Sequence, residues 1–92
     1  MTVRGTGTQA DLCVSPNGVI GVYVLDGSTI YGYLYDEDFN LIQSFTTNVT
    51  DSDDNQFSIV CTSIANELTW ILTYLSSGTI ITKKSTDAKT FA

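Results

Sequence analysis

The side chains of this chain that could do chemistry are few and scattered. They are two thiols, Cys13 and Cys61, two glutamates, Glu37 and Glu67, the run Asp51-Ser52-Asp53-Asp54-Asn55, and the alternate tyrosines Tyr31, Tyr33 and Tyr35. With no His in 92 residues, the usual general base and most zinc sites are missing. Two isolated cysteines cannot build a metal cage, and no Gly-rich phosphate loop occurs. The Asp51–Asn55 run has the oxygen density of a calcium loop but lacks the Gly and the distal bidentate Glu of an EF-hand. A solvated acidic loop is expected there, with no metal and no other cofactor. Asn48-Val49-Thr50 matches a glycosylation sequon, a pattern common by chance. The expectation is a protein that is not an enzyme and has no catalytic residues. The tyrosine row is the best candidate for a ligand site or an interface, because an aromatic ring offers large area and a polar tip to a sugar or a protein. Its competing role is packing between sheets. Trp70 joins the candidates but sits mid-strand in an apolar run and reads as core.

The charge balance narrows the partners. Ten acidic residues against four basic ones give −6 at pH 7, without the basic surface that counterion release needs, so nucleic acid is not expected. The longest apolar stretches, near Val19–Leu25 and Trp70–Leu75, are strand length, and no membrane insertion is expected. Met1-Thr2-Val3-Arg4 lacks the apolar run of a signal peptide. This start reads as that of a complete small product, or of a mature form whose export does not use such a leader, with a virion or extracellular surface as the suspected location.

Positioning elements are all β. Ser, Thr, Asn and Gly make up most of the polar residues, as in strand faces and turns. Strands are expected at Asp11–Ser15, Val19–Leu25, Thr29–Tyr35, Phe39–Thr46, Phe57–Ser63, Leu68–Leu75 and Thr79–Lys84. Turns fall at Pro16–Gly18, Asp26–Ser28, Asp36–Asp38, Ala65–Glu67, Ser76–Gly78 and Ser85–Lys89. The run Val19–Leu25 is β-branched and continuous, so burial on both faces is expected. In Thr29–Tyr35 the residues Ile30, Gly32 and Leu34 share one face and the three tyrosines the other.

The strand-turn pattern occurs twice. Cys13-Val14-Ser15 reappears as Cys61-Thr62-Ser63, Asn17 as Asn66, Asp26-Gly27-Ser28 as Ser77-Gly78-Thr79, Ile30 as Ile81 and Tyr35-Asp36 as Thr86-Asp87. A period of roughly 40–50 residues made of short strands is that of stacked β-units such as propeller blades. One domain, residues 1–92, then divides into an N-terminal strand (1–10), a first blade-like repeat (11–47), a loop (48–56) and a second repeat (57–92). Each repeat is a four-stranded antiparallel meander whose fourth strand is absent or a stub in the second, and Thr2–Thr8 is the candidate to complete it. Gly27, Asp36, Gly78 and Asp87 are the structural turn residues. The cysteines, at equivalent places, read as small apolar strand residues rather than a disulfide.

Ser85-Thr86-Asp87-Ala88-Lys89-Thr90-Phe91 resembles the Asp box of sialidase-type β-propellers, Ser-x-Asp-x-Gly-x-Thr-Trp, with Ser85, Asp87, Thr90 and an aromatic in place and one residue of the tip absent. Tyr35-Asp36-Glu37-Asp38-Phe39 keeps only the Asp and the aromatic. The resemblance implies a turn between third and fourth strands whose Asp bonds its own loop backbone, and it speaks for fold rather than activity. Sialidase chemistry uses an arginine cluster and a Tyr paired with a Glu, whereas this chain has only Arg4 and two glutamates in different repeats.

These features point to a non-catalytic oligomeric β-repeat protein, a structural or attachment component of a virion, phage or surface assembly. A trimer closing six blades is the favoured partner arrangement. The alternative is a small lectin that completes a propeller by oligomerisation and holds a glycan on its aromatics. The alternative fold is a single-chain β-sandwich.

Overall fold

The computed structural model describes residues 9–26, 28–50, 57–76 and 78–92. Among these residues seven strands are formed: β1 (Gln9–Val14), β2 (Ile20–Asp26), β3 (Thr29–Tyr35), β4 (Leu41–Thr50), β5 (Phe57–Ile64), β6 (Glu67–Ser76) and β7 (Thr79–Ser85). They make two antiparallel meanders, β1-β2-β3-β4 and β5-β6-β7. No helix is present among the described residues, in keeping with the β-branched and aromatic composition of the strands.

The turns follow their residues. Gly18 takes φ +90° at the end of the Ser15–Val19 connection, where the Ser15 hydroxyl accepts from the Val19 N–H at 2.9 Å. Ala65 and Asn66 both adopt left-handed φ, 52° and 64°, which closes β5–β6 as a two-residue hairpin. Gly78 has φ +78° before β7. Gly27 and Ser77 lie outside the described residues, as do the proposed strand Thr2–Thr8 and the acidic run Asp51–Asn55.

Both ends of the fourth strand depart from the sequence reading, whereas the other strands match it or differ by one or two residues at an end. The expected strand Phe39–Thr46 starts only at Leu41, because Phe39 is held at φ 64° in the turn where its N–H meets the Asp36 carbonyl at 3.0 Å. It also continues through Asn48, Val49 and Thr50, which were expected to be loop. The reason is packing: Val49 is buried in the core, and Thr29 pairs with Thr50, so the chain stays beside β3. A register shift between Thr29 and Tyr31 absorbs the Thr47 position, whose hydroxyl donates to the Ile30 carbonyl at 2.7 Å.

One core joins the two sheets. Cross-strand partners share a face, so the register puts Asp11, Cys13, Gly21, Tyr23, Leu25, Ile30 and Leu34 on the inner face of the first sheet. Phe57, Ile59, Cys61, Trp70, Leu72 and Tyr74 form the inner face of the second. Tyr23, Leu25, Ile30, Val49, Phe57, Ile59, Trp70, Leu72, Tyr74, Ala88 and Phe91 form a single buried cluster. Gly21 is a fitted element of this core: a Cβ there would stand 2.7 Å from the Trp70 ring, so the missing side chain makes room for the indole. The β2 strand is not buried on both faces along its whole length. Tyr23, Val24 and Leu25 are, whereas Ile20 and Val22 on the outer face are half-buried.

Candidate functional site

Among the described residues the two glutamates belong to different sheets. Glu37 lies in the β3–β4 turn near Gly18, and Glu67 opens β6. Among the described residues no three His, Cys, Asp or Glu side chains stand close enough to hold a metal ion. What the fold does gather is apolar surface, on the outer face of each sheet.

On the first sheet that face carries Ala10, Leu12, Val14, Ile20, Val22, Tyr31, Tyr33 and Leu41. Leu12, Val14 and Leu41 are each more than half exposed. On the second sheet the outer face carries Val60, Ile64, Ile71, Leu75 and Ile80, with Ile80 74% exposed. Thr62, Thr69, Thr73 and Thr82 fill the positions between, and the Thr73 and Thr82 hydroxyls lie 3.4 Å apart across the β6–β7 pair. A shallow apolar depression of about 400 Å³ opens there beside Phe57, Thr73, Leu75 and Ile80. Exposure is uneven along these faces: on the first, Val24 and Tyr35 are buried while Leu12, Val14 and Leu41 are open. Six large apolar side chains exposed in two such patches exceed the isolated exposed Leu or Ile that needs no explanation.

The tyrosine row divides. Its three members share the outer face as the alternation predicted, but only Tyr31 and Tyr33 reach the surface, both half-buried. They line a depression of about 280 Å³ with Ser44, Phe45 and Thr46. Tyr35 is fully enclosed and offers no ring to a ligand; burial first and Tyr33 second raise its hydroxyl pKa. Trp70 is core, 3% exposed, its ring centroid 6.3 Å from that of Tyr23. Tyr23 in turn donates its hydroxyl to the Ala88 carbonyl at 2.7 Å, and burial pushes its pKa well above the usual value.

The two acidic turns are built differently. Asp87 Oδ1 accepts from the Ser85 hydroxyl at 2.7 Å, the Thr90 N–H at 2.8 Å and the Lys89 N–H at 3.0 Å, and these donors, Thr90 foremost, hold its pKa far below the carboxylate range. Ala88 takes φ 73° at the tip and packs inward. Asp36 Oδ1 accepts from the Asp38 and Asn40 N–H groups, both at 2.9 Å, and its pKa is lowered mainly by Asn40.

Two links between the sheets were not foreseen. Asn48, read as part of a loop sequon, clamps Phe91: its Nδ2 donates to the Phe91 carbonyl at 2.8 Å and its Oδ1 accepts the Phe91 N–H at 2.7 Å. Asp11 Oδ2 accepts the Ile59 N–H at 2.9 Å across the β1–β5 seam. A lone Asn or Asp in a strand is the available signal, since such a residue must find a partner when the strand is buried. Past the acidic turn, Ala92 exchanges two backbone hydrogen bonds with Lys84, at 2.9 and 3.0 Å, and so lies beside β7.

The cysteines are free and half-buried, one on each inner face, packed against the same core. Burial lifts the Cys13 thiol to about 12, with the Cys61 thiol a second contribution, and burial also raises Cys61. Sequence equivalence therefore does not mean facing the same way. No protein-family model matches the chain, and no match was found among curated proteins or solved structures.

Proposed function

We propose that this chain is a non-catalytic structural or attachment module that works as an oligomer of itself. The observation that carries this reading is the set of large apolar side chains exposed on the two sheet faces, Leu12, Val14 and Leu41 on one and Val60, Ile64 and Ile80 on the other. A repeat unit that cannot cover its own apolar face is stabilised by stacking on a neighbour. Blade-like stacking also accounts for the self-bonded acidic turn at Asp87 and for the near approach of β1 to β5. The test is solution mass: sedimentation at micromolar concentration should give an oligomer, and a well-folded monomer would overturn the reading.

A second reading, glycan binding, draws on the depression lined by Tyr31, Tyr33, Ser44 and Thr46, where ring faces and hydroxyls stand together. Signal on a glycan array that is lost in Tyr33→Ala, with assembly intact, would favour it.

A further inference from the structure

β7 is an edge strand, and only one end of its open edge is in use. Lys84 donates its N–H to the Ala92 carbonyl at 3.0 Å and accepts the Ala92 N–H at 2.9 Å, on the side away from β6. Backbone groups alternate in direction along a strand, so the N–H and C=O groups of Thr82 and Ile80 point to that same side, whereas those of Lys83 and Ile81 face β6. Among the described residues nothing pairs with the outward groups of Thr82 and Ile80. Their side chains are open too: Thr82 is exposed, and Ile80 is 74% exposed. The mutual exchange between Lys84 and Ala92 is that of an antiparallel pair. It sets the direction and register of any strand laid along the rest of the edge.

Charge decides what fits there. Lys83 and Lys84 are two of the four basic residues in a chain that carries −6 overall, and neither makes an ion pair among the described residues. We infer that the β7 edge takes an extended acidic segment of a partner protein as a further antiparallel strand, bonded to the outward N–H and C=O groups of Thr82 and Ile80. Cross-strand neighbours share a face, so an acid opposite Lys83 meets that ammonium directly, and an acid opposite Thr82 lies diagonal to Lys84. An apolar side chain opposite Ile80 covers that residue and adjoins the depression lined by Thr73 and Leu75. A second copy of this chain fits less well. Of its described edge strands only β1 holds an acid, Asp11, whose carboxylate is engaged by Ile59, and β7 against β7 brings like charges to one edge. The contact uses backbone groups at an edge, and so goes beyond the sheet-face assembly proposed above.

The probe is the blocked peptide acetyl-Glu-Glu-Val-Ile-Thr-amide, whose first residue is set opposite Lys83, with acetyl-Lys-Lys-Val-Ile-Thr-amide as control. In heteronuclear NMR of the full chain, the glutamate peptide should shift the N–H groups of Thr82 and Ile80 and protect them from exchange, while those of Ile81 and Lys83 barely move. It should bind about tenfold more tightly than the control, the scale of two cross-strand charge pairs turned from attraction to repulsion. Thr82→Pro removes one outward N–H where an edge strand tolerates proline, so this variant should keep the wild-type circular dichroism and lose the peptide. If it fails to fold, Lys83→Glu combined with Lys84→Glu keeps the test, because that protein should prefer the lysine peptide. Equal binding of both peptides to wild type, or shifts that avoid β7, overturns the inference. So does protection of the Thr82 and Ile80 N–H groups in the protein alone that is lost on dilution, which would give the edge to a second copy. A monomeric wild type that binds the glutamate peptide leaves this inference standing and overturns the self-assembly reading alone.

Discussion

The interior seam and the outer faces are made of the same materials, and among the described residues they differ in how much of that material is exposed. Inside, Tyr23, Leu25 and Ile30 are wholly buried against Trp70 and Leu72. Outside, Leu75 is half-buried and Ile80 largely exposed. Hydrophobic residue type therefore does not decide which surface is core in this chain; the register of each hairpin does. In the proposed assembly the exposed apolar side chains serve as the contact surface, whereas the seam supplies the stability of the single chain.

The sharpest way to break that comparison is to truncate one residue on each side of it. Trp70→Ala removes the largest side chain of the seam and leaves a cavity over Gly21, a class of change that costs roughly 3–5 kcal/mol. Against a total of about 5–15 kcal/mol for a domain, the chain should unfold at much lower denaturant. Ile80→Ala should leave the chemical midpoint measured at high dilution almost unchanged and weaken assembly alone. Equal losses in both would show that the two surfaces are not distinct.

A smaller effect is expected at Gly21. Adding a methyl group there places it 2.7 Å from the indole, and overpacking of this kind costs typically about 1–3 kcal/mol. Gly21→Ala should lower the melting temperature, and the same change combined with Trp70→Leu should recover part of the loss by giving the methyl group room. Additive losses would show that the indole is not what the glycine accommodates. Below that stands Tyr23→Phe, which deletes the hydroxyl bonded to the Ala88 carbonyl and leaves that carbonyl short of a donor, a loss of about 1–2 kcal/mol. Thermal unfolding of the variant beside wild type measures it.

The strands were legible because Gly, Asn and Asp punctuate the apolar runs, and the alternation of β3 placed the tyrosines on one face correctly. Where the reading failed, a non-glycine residue in left-handed backbone or a bulge was responsible. Phe39 looks like the first apolar residue of a strand, yet its turn holds it at φ 64°, and the shift near Thr47 carries Val49 into the core. Alignment of the two halves by residue type set Cys13 against Cys61, while the structure turns both toward one core. The cause is the first connection of each sheet: Ser15–Val19 in one and Ala65-Asn66 in the other. Unequal turns change the phase of every strand pairing that follows, and a strand shifted by one residue presents its other face. Which apolar face is covered is therefore a property of turn geometry that residue types alone do not carry.

The smallest expected effect separates the two acidic turns, one anchored to the seam and one not. Both carboxylates have lowered pKa values, so the folded chain takes up these protons less readily than the unfolded chain. Their contribution to stability is complete above the ordinary carboxylate pKa of about 4 and is lost as pH falls below it. The turn at Asp87 is fixed from several sides, since Ala88 accepts from Tyr23 and Phe91 is clamped by Asn48. The turn at Asp36 is held mostly by Asn40 and is solvent-facing. Asp87→Asn should therefore flatten the acid limb of the stability curve between neutral pH and pH 3 more than Asp36→Asn does, because an amide does not titrate and fewer of the native donors fit it. Melting temperatures of the two variants and wild type across that range make the comparison. If Asp36→Asn flattens the limb more, the acidic turns are interchangeable loops and the seam gives Asp87 no special standing.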